Sequence, residues 1–247
     1  MWELEFGAPY LAPISPNTRL VVDMGCGTGL WGRTIARQHP AIQVIGVDLN
    51  PPMEGDLHNC HFTKANVEEP WTFIKGQGTV DLTFARLLTT AIRDWQVVID
   101  HAFQATKPGG YFESHDSSLQ LMSNGSAEAE ASHLAAWFRC FAEFLRGNGV
   151  DTRQIDTMGQ RLEHAGFKMV EERLCNWYLS RSSPEMKGRE RISTLLADTV
   201  ANVMVNVAPK MAAPPSTMSA EDVNTLTINA VRDLRENSAK FGFYLTQ

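Results

Sequence analysis

Apolar positions in the first half of the chain come in short strand-length runs, separated by stretches of helical period. Arg19–Asp23 reads as a buried strand, Thr28–His39 as a helix closed by Pro40, and Gln43–Asp48 as a second strand ending in an acid. Pro51-Pro52 forces an irregular loop, after which Cys60–Lys64 and Thr79–Ala85 read as the third and fourth strands. Asp94–Thr106 follows as a helix with Trp95, Val98, Ile99, Ala102 and Phe103 on one face. The turn Lys107-Pro108-Gly109-Gly110 then leads into a fifth strand, Tyr111–His115. Strands alternating with helices predict an α/β architecture, an open and mostly parallel sheet covered on both faces.

Beyond Asp116 the rhythm changes. Ala127–Arg146 predicts one long helix with Leu134, Trp137, Phe138, Phe141 and Leu145 along a stripe, which either packs on the core or roofs a substrate pocket. Thr157–Ala165 predicts a helix capped by Gly166, and Phe167–Tyr178 a bent strand. Glu185–Val207 is apolar nearly all round its helical projection, as in a helix that is buried or lines a pocket or interface. Pro209 to Pro215 reads as a linker-like break, Ser219 as the cap of a helix running to about Lys240, and Phe241–Leu245 as a last strand. Residues 1–18, with three prolines, predict an irregular arm.

Composition narrows the function classes. A net charge of -6 opposes a general nucleic-acid binder. Cys26, Cys60, Cys140 and Cys175 are scattered without a C-x-x-C pair, as in a reduced, cytoplasmic protein. Met1-Trp2-Glu3-Leu4-Glu5-Phe6 lacks the basic region of a signal peptide, and no apolar run predicts a membrane span. His58-Asn59-Cys60-His61 places three metal-ligand types together, but a strand points alternate side chains apart, so no metal site is expected there.

Chemistry concentrates at Val21-Val22-Asp23-Met24-Gly25-Cys26-Gly27-Thr28-Gly29. Glycines let the backbone turn sharply and approach a ligand, and the following helix offers unpaired N–H groups. A dinucleotide fingerprint needs G-x-G-x-x-G, whereas here Gly29 follows Gly27 after one residue. Asp23, two residues before Gly25, would repel a pyrophosphate and suit a cofactor with a cationic amino-acid end. S-adenosylmethionine carries an ammonium and a sulfonium and no phosphate, so the loop favours it. Asp48, nineteen residues after Gly29, is placed to accept hydrogen bonds from two ribose hydroxyls.

With these motifs in order, residues 19–116 resemble the class I S-adenosylmethionine-dependent methyltransferases. Val21–Gly29 looks like that family's first motif, and Val44-Ile45-Gly46-Val47-Asp48-Leu49 its second. Asn66-Val67-Glu68-Glu69-Pro70-Trp71 sits where the family holds the adenine amine. Gly29-Leu30-Trp31, Glu69-Pro70-Trp71, Phe84-Ala85-Arg86 and Tyr111-Phe112-Glu113-Ser114-His115-Asp116 are similar to fungal methyltransferases of secondary metabolism, a group that includes a global regulator of metabolite clusters. The resemblance implies a Rossmann-like seven-stranded sheet with a helical cap inserted after the fifth strand. It implies one domain over 1–247, with an arm (1–18), a cofactor core (19–116) and substrate-shaping helices and last strands (117–247). The implied cofactor residues are Asp23, Gly25, Cys26, Gly27, Gly29, Trp31, Asp48, Leu49, Asn66, Val67 and Arg86. Asn66 departs from the aspartate frequent in the group, and the arm is short, so a lid over the cofactor would be partial or supplied by a second chain in a homodimer.

For the acceptor, His115 at the end of the fifth strand is either a general base or a wall of the pocket. Asp116 and Glu113 are placed to orient it. Arg86 either binds an acidic substrate group or forms a structural ion pair. Ala85-Arg86-Leu87-Leu88 stands where some nucleic-acid and protein methyltransferases carry Asn/Asp-Pro-Pro-Tyr, which argues for a different acceptor. The expected activity is methylation of a small metabolite, on oxygen in the first instance. The alternatives are a non-catalytic regulator working through protein partners, and a cyclase that uses the sulfonium charge without methyl transfer.

Overall fold

The structure, a computed structural model, describes residues 1–213 and 218–246. Its main sheet has five strands: β1 (Leu20–Met24), β2 (Gln43–Asp48), β3 (Cys60–Lys64), β4 (Val80–Arg86) and β5 (Thr106–His115). All pairings are parallel, in the order β3-β2-β1-β4-β5. Both faces of the strands are apolar, and each face has its own core. Val21, Val44, Leu82 and Phe84 pack with Trp31, Ile35 and Ala36 of α2 (Leu30–Gln38). Val22, Met24, Val47, Val80 and Ala85 pack with Trp95, Val98 and Ile99 of α3 (Trp95–Ala105). Strands covered on both sides read as near-continuous apolar runs, which is why these were legible.

Asp81 fixes the amino end of the sheet. It accepts the N–H groups of Arg19 and Leu20 and pairs with Lys107. Burial pushes its carboxyl up, but Lys107 and the two N–H donors outweigh that and hold it below the usual range.

The described residues divide into two compact units. The sheet unit is Ala8–Asp116 with Gln154–Glu172, and the second is Met1–Gly7, Ser117–Arg153 and Arg173–Gln247. The sheet unit therefore takes most of the arm and also α6 (Met158–Ala165), whose Leu162 and Ala165 pack into the α3 core. The first six residues are not irregular. They contain α1 (Trp2–Phe6), whose Glu5 accepts Trp177 Nε1–H at 3.0 Å and pairs with Arg189 at 2.7 Å.

Several sequence expectations need correction. The predicted helix Ala127–Arg146 is two helices, α4 (Ala127–Glu130) and α5 (His133–Gly147). Ser132 separates them by accepting Ala135 N–H while donating to the Ala129 carbonyl, a local alternative to the helical ladder. The predicted strand Phe167–Tyr178 shrinks to β6 (Asn176–Tyr178). Upstream of it Val170 and Leu174 are exposed and Glu171-Glu172-Arg173 break the apolar alternation. Strand β6 pairs antiparallel with β7 (Tyr244–Thr246) in a two-stranded ladder, so the expected seven-stranded sheet is a five-stranded sheet plus this ribbon among the described residues.

The next helix, α7 (Glu190–Met211), starts later than predicted because a 3-10 turn at Pro184–Met186 precedes it, and it continues through Pro209. Residues 214 and 215 of the expected break lie outside the described residues. By length and hydropathy α7 could cross a membrane, contrary to the sequence reading. It shows instead the stripe of a core helix, with Ile192, Leu196, Val200 and Met204 buried. Asp198, Asn202 and Asn206 interrupt the rest of its surface. Two last helices, α8 (Ala220–Glu236) and α9 (Ser238–Phe241), replace the single one predicted.

The start of α3 depends on Asp94, which accepts the N–H groups of Gln96 and Val97. Replacement by Ala removes this cap at an exposed site and costs about 1 kcal/mol. The expected result is a lower urea midpoint with an unchanged m-value.

Candidate functional site

The ladder registers set the carboxyl ends of four strands side by side. Met24 pairs with Val47 on one side and Ala85 on the other, and Arg86 pairs with His115. The glycine turn leaves β1 at this edge. Gly25, Gly27 and Gly29 adopt φ of 60°, 52° and 72°, conformations that cost an L side chain strain. The neighbours differ. A Cβ on Gly25 would lie 2.2 Å from Leu88 and one on Gly29 2.5 Å from Phe62, whereas nothing lies within 4 Å of one on Gly27. Gly27 thus presents bare backbone to open space, as a ligand-cradling turn must.

Asp48, half-buried at the end of β2, accepts Gly27 N–H through Oδ2 and Asn50 N–H through Oδ1, both at 2.9 Å. Each oxygen keeps further acceptor capacity, so vicinal hydroxyls could still bind. Asn66 accepts Glu68 N–H through Oδ1 at 3.0 Å, which fixes the amide and leaves its Nδ2 hydrogens for a ring nitrogen. Val67 is buried, and Leu49 is exposed beside Asp48.

Asp23 is 4% exposed, and its Oδ2 accepts Gly32 N–H at 3.2 Å. Burial raises its carboxyl to about 7. Arg86 and the Gly32 N–H oppose the rise, and Asp48 adds to it. The turn therefore holds two acidic groups whose repulsion a cationic ligand would relieve. Arg86 faces this charge and lies over the Phe84 ring at 5.7 Å, a structural role already present without a substrate. Burial also pushes the Cys26 thiol up to about 12.

At the end of β5, His115 Nε2 lies 2.7 Å from Glu113 Oε1, and its ring meets the edge of Phe84. Glu113 also accepts Leu11 N–H at 2.8 Å and Ala12 N–H at 2.7 Å. This carboxylate therefore orients the histidine and pins the arm together. Trp31 also serves the arm, since its indole N–H donates to the Pro9 carbonyl and its ring stacks on Phe84 at 3.9 Å. Asp116 turns elsewhere. It accepts the N–H groups of Leu88 and Thr89 and the Thr89 hydroxyl, and so caps the turn after β4. Leu87 in that turn has φ of 57°, an outlier for a branched side chain, with its N–H on the His115 carbonyl at 3.0 Å.

Sequence reasoning missed this turn. Its one signal was Thr89-Thr90, separated by two residues from the end of an apolar strand, with an acid just after the next. His58 and His61 are exposed and Cys60 is buried, and among the described residues no group of three His, Cys, Asp or Glu is arranged to hold a metal.

A parallel α/β sheet thus carries an acidic glycine turn at its carboxyl edge. The family model described as a methyltransferase domain matches residues 6–172, about two thirds of the chain, and the chain belongs to this family. Its cofactor is S-adenosylmethionine, which the turn, Asp23, Asp48 and Asn66 fit. The chain is 25% identical over 241 residues to Methyltransferase cpsF of Aspergillus campestris, covering 92% of this chain and 83% of that one. It is 28% identical over 172 residues to the secondary metabolism regulator laeA of Aspergillus niger, covering 66% of this chain but 43% of the relative. Among solved structures, a putative methyltransferase from an antibiotic biosynthesis pathway of Anabaena variabilis superposes with a TM-score of 0.56 at 12% identity, covering 94% of this chain and 91% of that one. That likeness is one of fold.

Because native Asp23 titrates near 7 rather than at 3.8, the cofactor-free fold holds a proton between those values that the unfolded chain does not. Stability is therefore fully present below pH 4 and falls as pH rises through 7, by up to about 4 kcal/mol. Asp23→Asn removes that fall. The variant should melt above the parent at pH 8 and close to it at pH 4, while binding S-adenosylmethionine more weakly.

Proposed function

We propose that the protein transfers a methyl group to an oxygen of a small secondary metabolite. The observation that carries this reading is the Glu113–His115 pair at the carboxyl end of β5. Ligands of open parallel sheets bind at that edge. Glu113 Oε1 beside His115 Nε2 would stabilise the ring as it takes a proton from the acceptor, the role of a general base. Glu113 is itself fixed by two backbone N–H groups. When bound, S-adenosylmethionine supplies the activated methyl group. The chain's own contribution is alignment and proton removal. Asp48 would take the ribose hydroxyls, Asn66 and Val67 would bound the adenine, and Gly25, Gly27 and Gly29 would let the amino-acid end approach the backbone. Asp23 would balance the cofactor's positive charge. The net charge of -6 supports a small acceptor over a polyanion. Four unpaired cysteines support a reducing, cytoplasmic setting.

A second reading, a regulator acting through protein partners, is supported by the likeness to laeA. The chain spans less than half of that protein.

Incubation with methyl-labelled S-adenosylmethionine and an extract of candidate metabolites separates the two. Label is expected in an organic-soluble product. His115→Gln should lower its rate about 10²–10³-fold, with cofactor Kd within about twofold by titration calorimetry. Cofactor binding with no labelled small molecule would favour the regulator. Label in product at an undiminished rate in the variant would remove His115 from the chemistry.

A further inference from the structure

We propose that the outward face of α8 is the two-fold interface of a homodimer, in which α8 packs antiparallel against α8 of a second copy, centred on Ile228. This rests on the second compact unit alone and is independent of the catalytic reading.

A groove of about 490 Å³ runs between α7 and α8. Its walls include Val205, Ala208, Ile228 and Val231, with Arg232 and Arg235 toward the end of α8. Val205 is 59% exposed and Ile228 53% exposed, although the opposite face of α8 is secured by the buried Val223, Thr227, Ala230 and Leu234. Glu221, Thr225, Ile228, Arg232 and Arg235 fall on a single stripe at helical spacing, with an acid at its start, an apolar centre and bases at its end.

That order of charges selects the occupant and its direction. With antiparallel helices centred on Ile228, a residue seven before the centre meets one seven after it. Glu221 then faces Arg235 of the second copy and Asn224 faces Arg232, and the two-fold axis repeats both contacts at the other end. The charged pairs stand about 21 Å apart along the axis. A parallel pairing would set Glu221 on Glu221 and Arg235 on Arg235, so the same charges exclude the wrong register. The apolar centre of Ile228, Val231 and Val205 would be removed from water between them. Glu221 and Arg235 are both exposed, so they are accessible to a partner.

Sedimentation velocity of the full chain over a wide concentration range tests this. The expected result is a monomer–dimer equilibrium that Ile228→Asp shifts to monomer. Arg235→Glu and Glu221→Arg should each weaken it at least tenfold, because each sets two like charges against each other. An equimolar mixture of those two variants should dimerise again, since both contacts then join opposite charges, and so should the double variant. Circular dichroism and cofactor binding check that each variant is folded. Three results would overturn the proposal: a parent chain that stays monomeric throughout, a dimer indifferent to Ile228→Asp and Arg235→Glu, or a mixture that remains monomeric. The first, coupled with vesicle binding, would assign the face to a lipid surface instead.

Discussion

Two backbone segments that meet at the carboxyl edge of the sheet, the glycine turn after β1 and the loop after β2, are joined by the carboxylate of Asp48. It holds Gly27 with one oxygen and Asn50 with the other. Glycine-rich backbone has the most conformational freedom to lose, so a turn of three left-handed residues needs such a tie to keep one shape. The tie also sets the polarity of the site. It leaves a carboxylate at the ribose end of the turn, while buried Asp23 makes the turn hospitable to a cation. The choice of cofactor is in this sense a consequence of how the turn is held.

Around this turn, carboxylates that look alike in sequence divide their tasks by environment. Asp23 is buried with one N–H donor, and its burial outweighs the opposing charge of Arg86. Asp81 is held by two N–H groups and Lys107 and stays ionised. Glu113 is shared between the arm and His115, and Asp116 is engaged by three donors in the turn after β4. Burial and pairing partners separate these roles, and both come from other elements.

This explains what could be read from the chain and what could not. Strands β1, β2, β4 and β5 were legible as apolar runs ending at a glycine, acid or basic residue, and β3 as a short run between turns. Gly25, Gly27, Gly29 and Asp48 were legible because their spacing has a local cause. Trp31 and Asp116 also hold the arm and a turn, bonds that position in a motif does not show. Beyond Asp116 the helices were visible but their breaks were not. The division at Ser132 depends on a hydroxyl's choice between donors, and Asp233, a hundred residues further on, supports it by accepting His133 N–H. The strand predicted over Phe167–Tyr178 kept only its last three residues, where β7 supplies a partner to pair with.

The last strand of the main sheet contains an irregularity with a consequence of its own. Val80 pairs with Thr106 and Leu82 with Tyr111, so Lys107-Pro108-Gly109-Gly110 is looped out between two consecutive same-face positions of β4. The ladder locks again at Tyr111, and the facing of Glu113 and His115 is counted from there. Residues gained or lost within the excursion would be absorbed before that point and would not rotate the end of the strand. The edge bearing the histidine is thereby insulated from changes in chain length upstream, as a spliced cable keeps its phase beyond the slack.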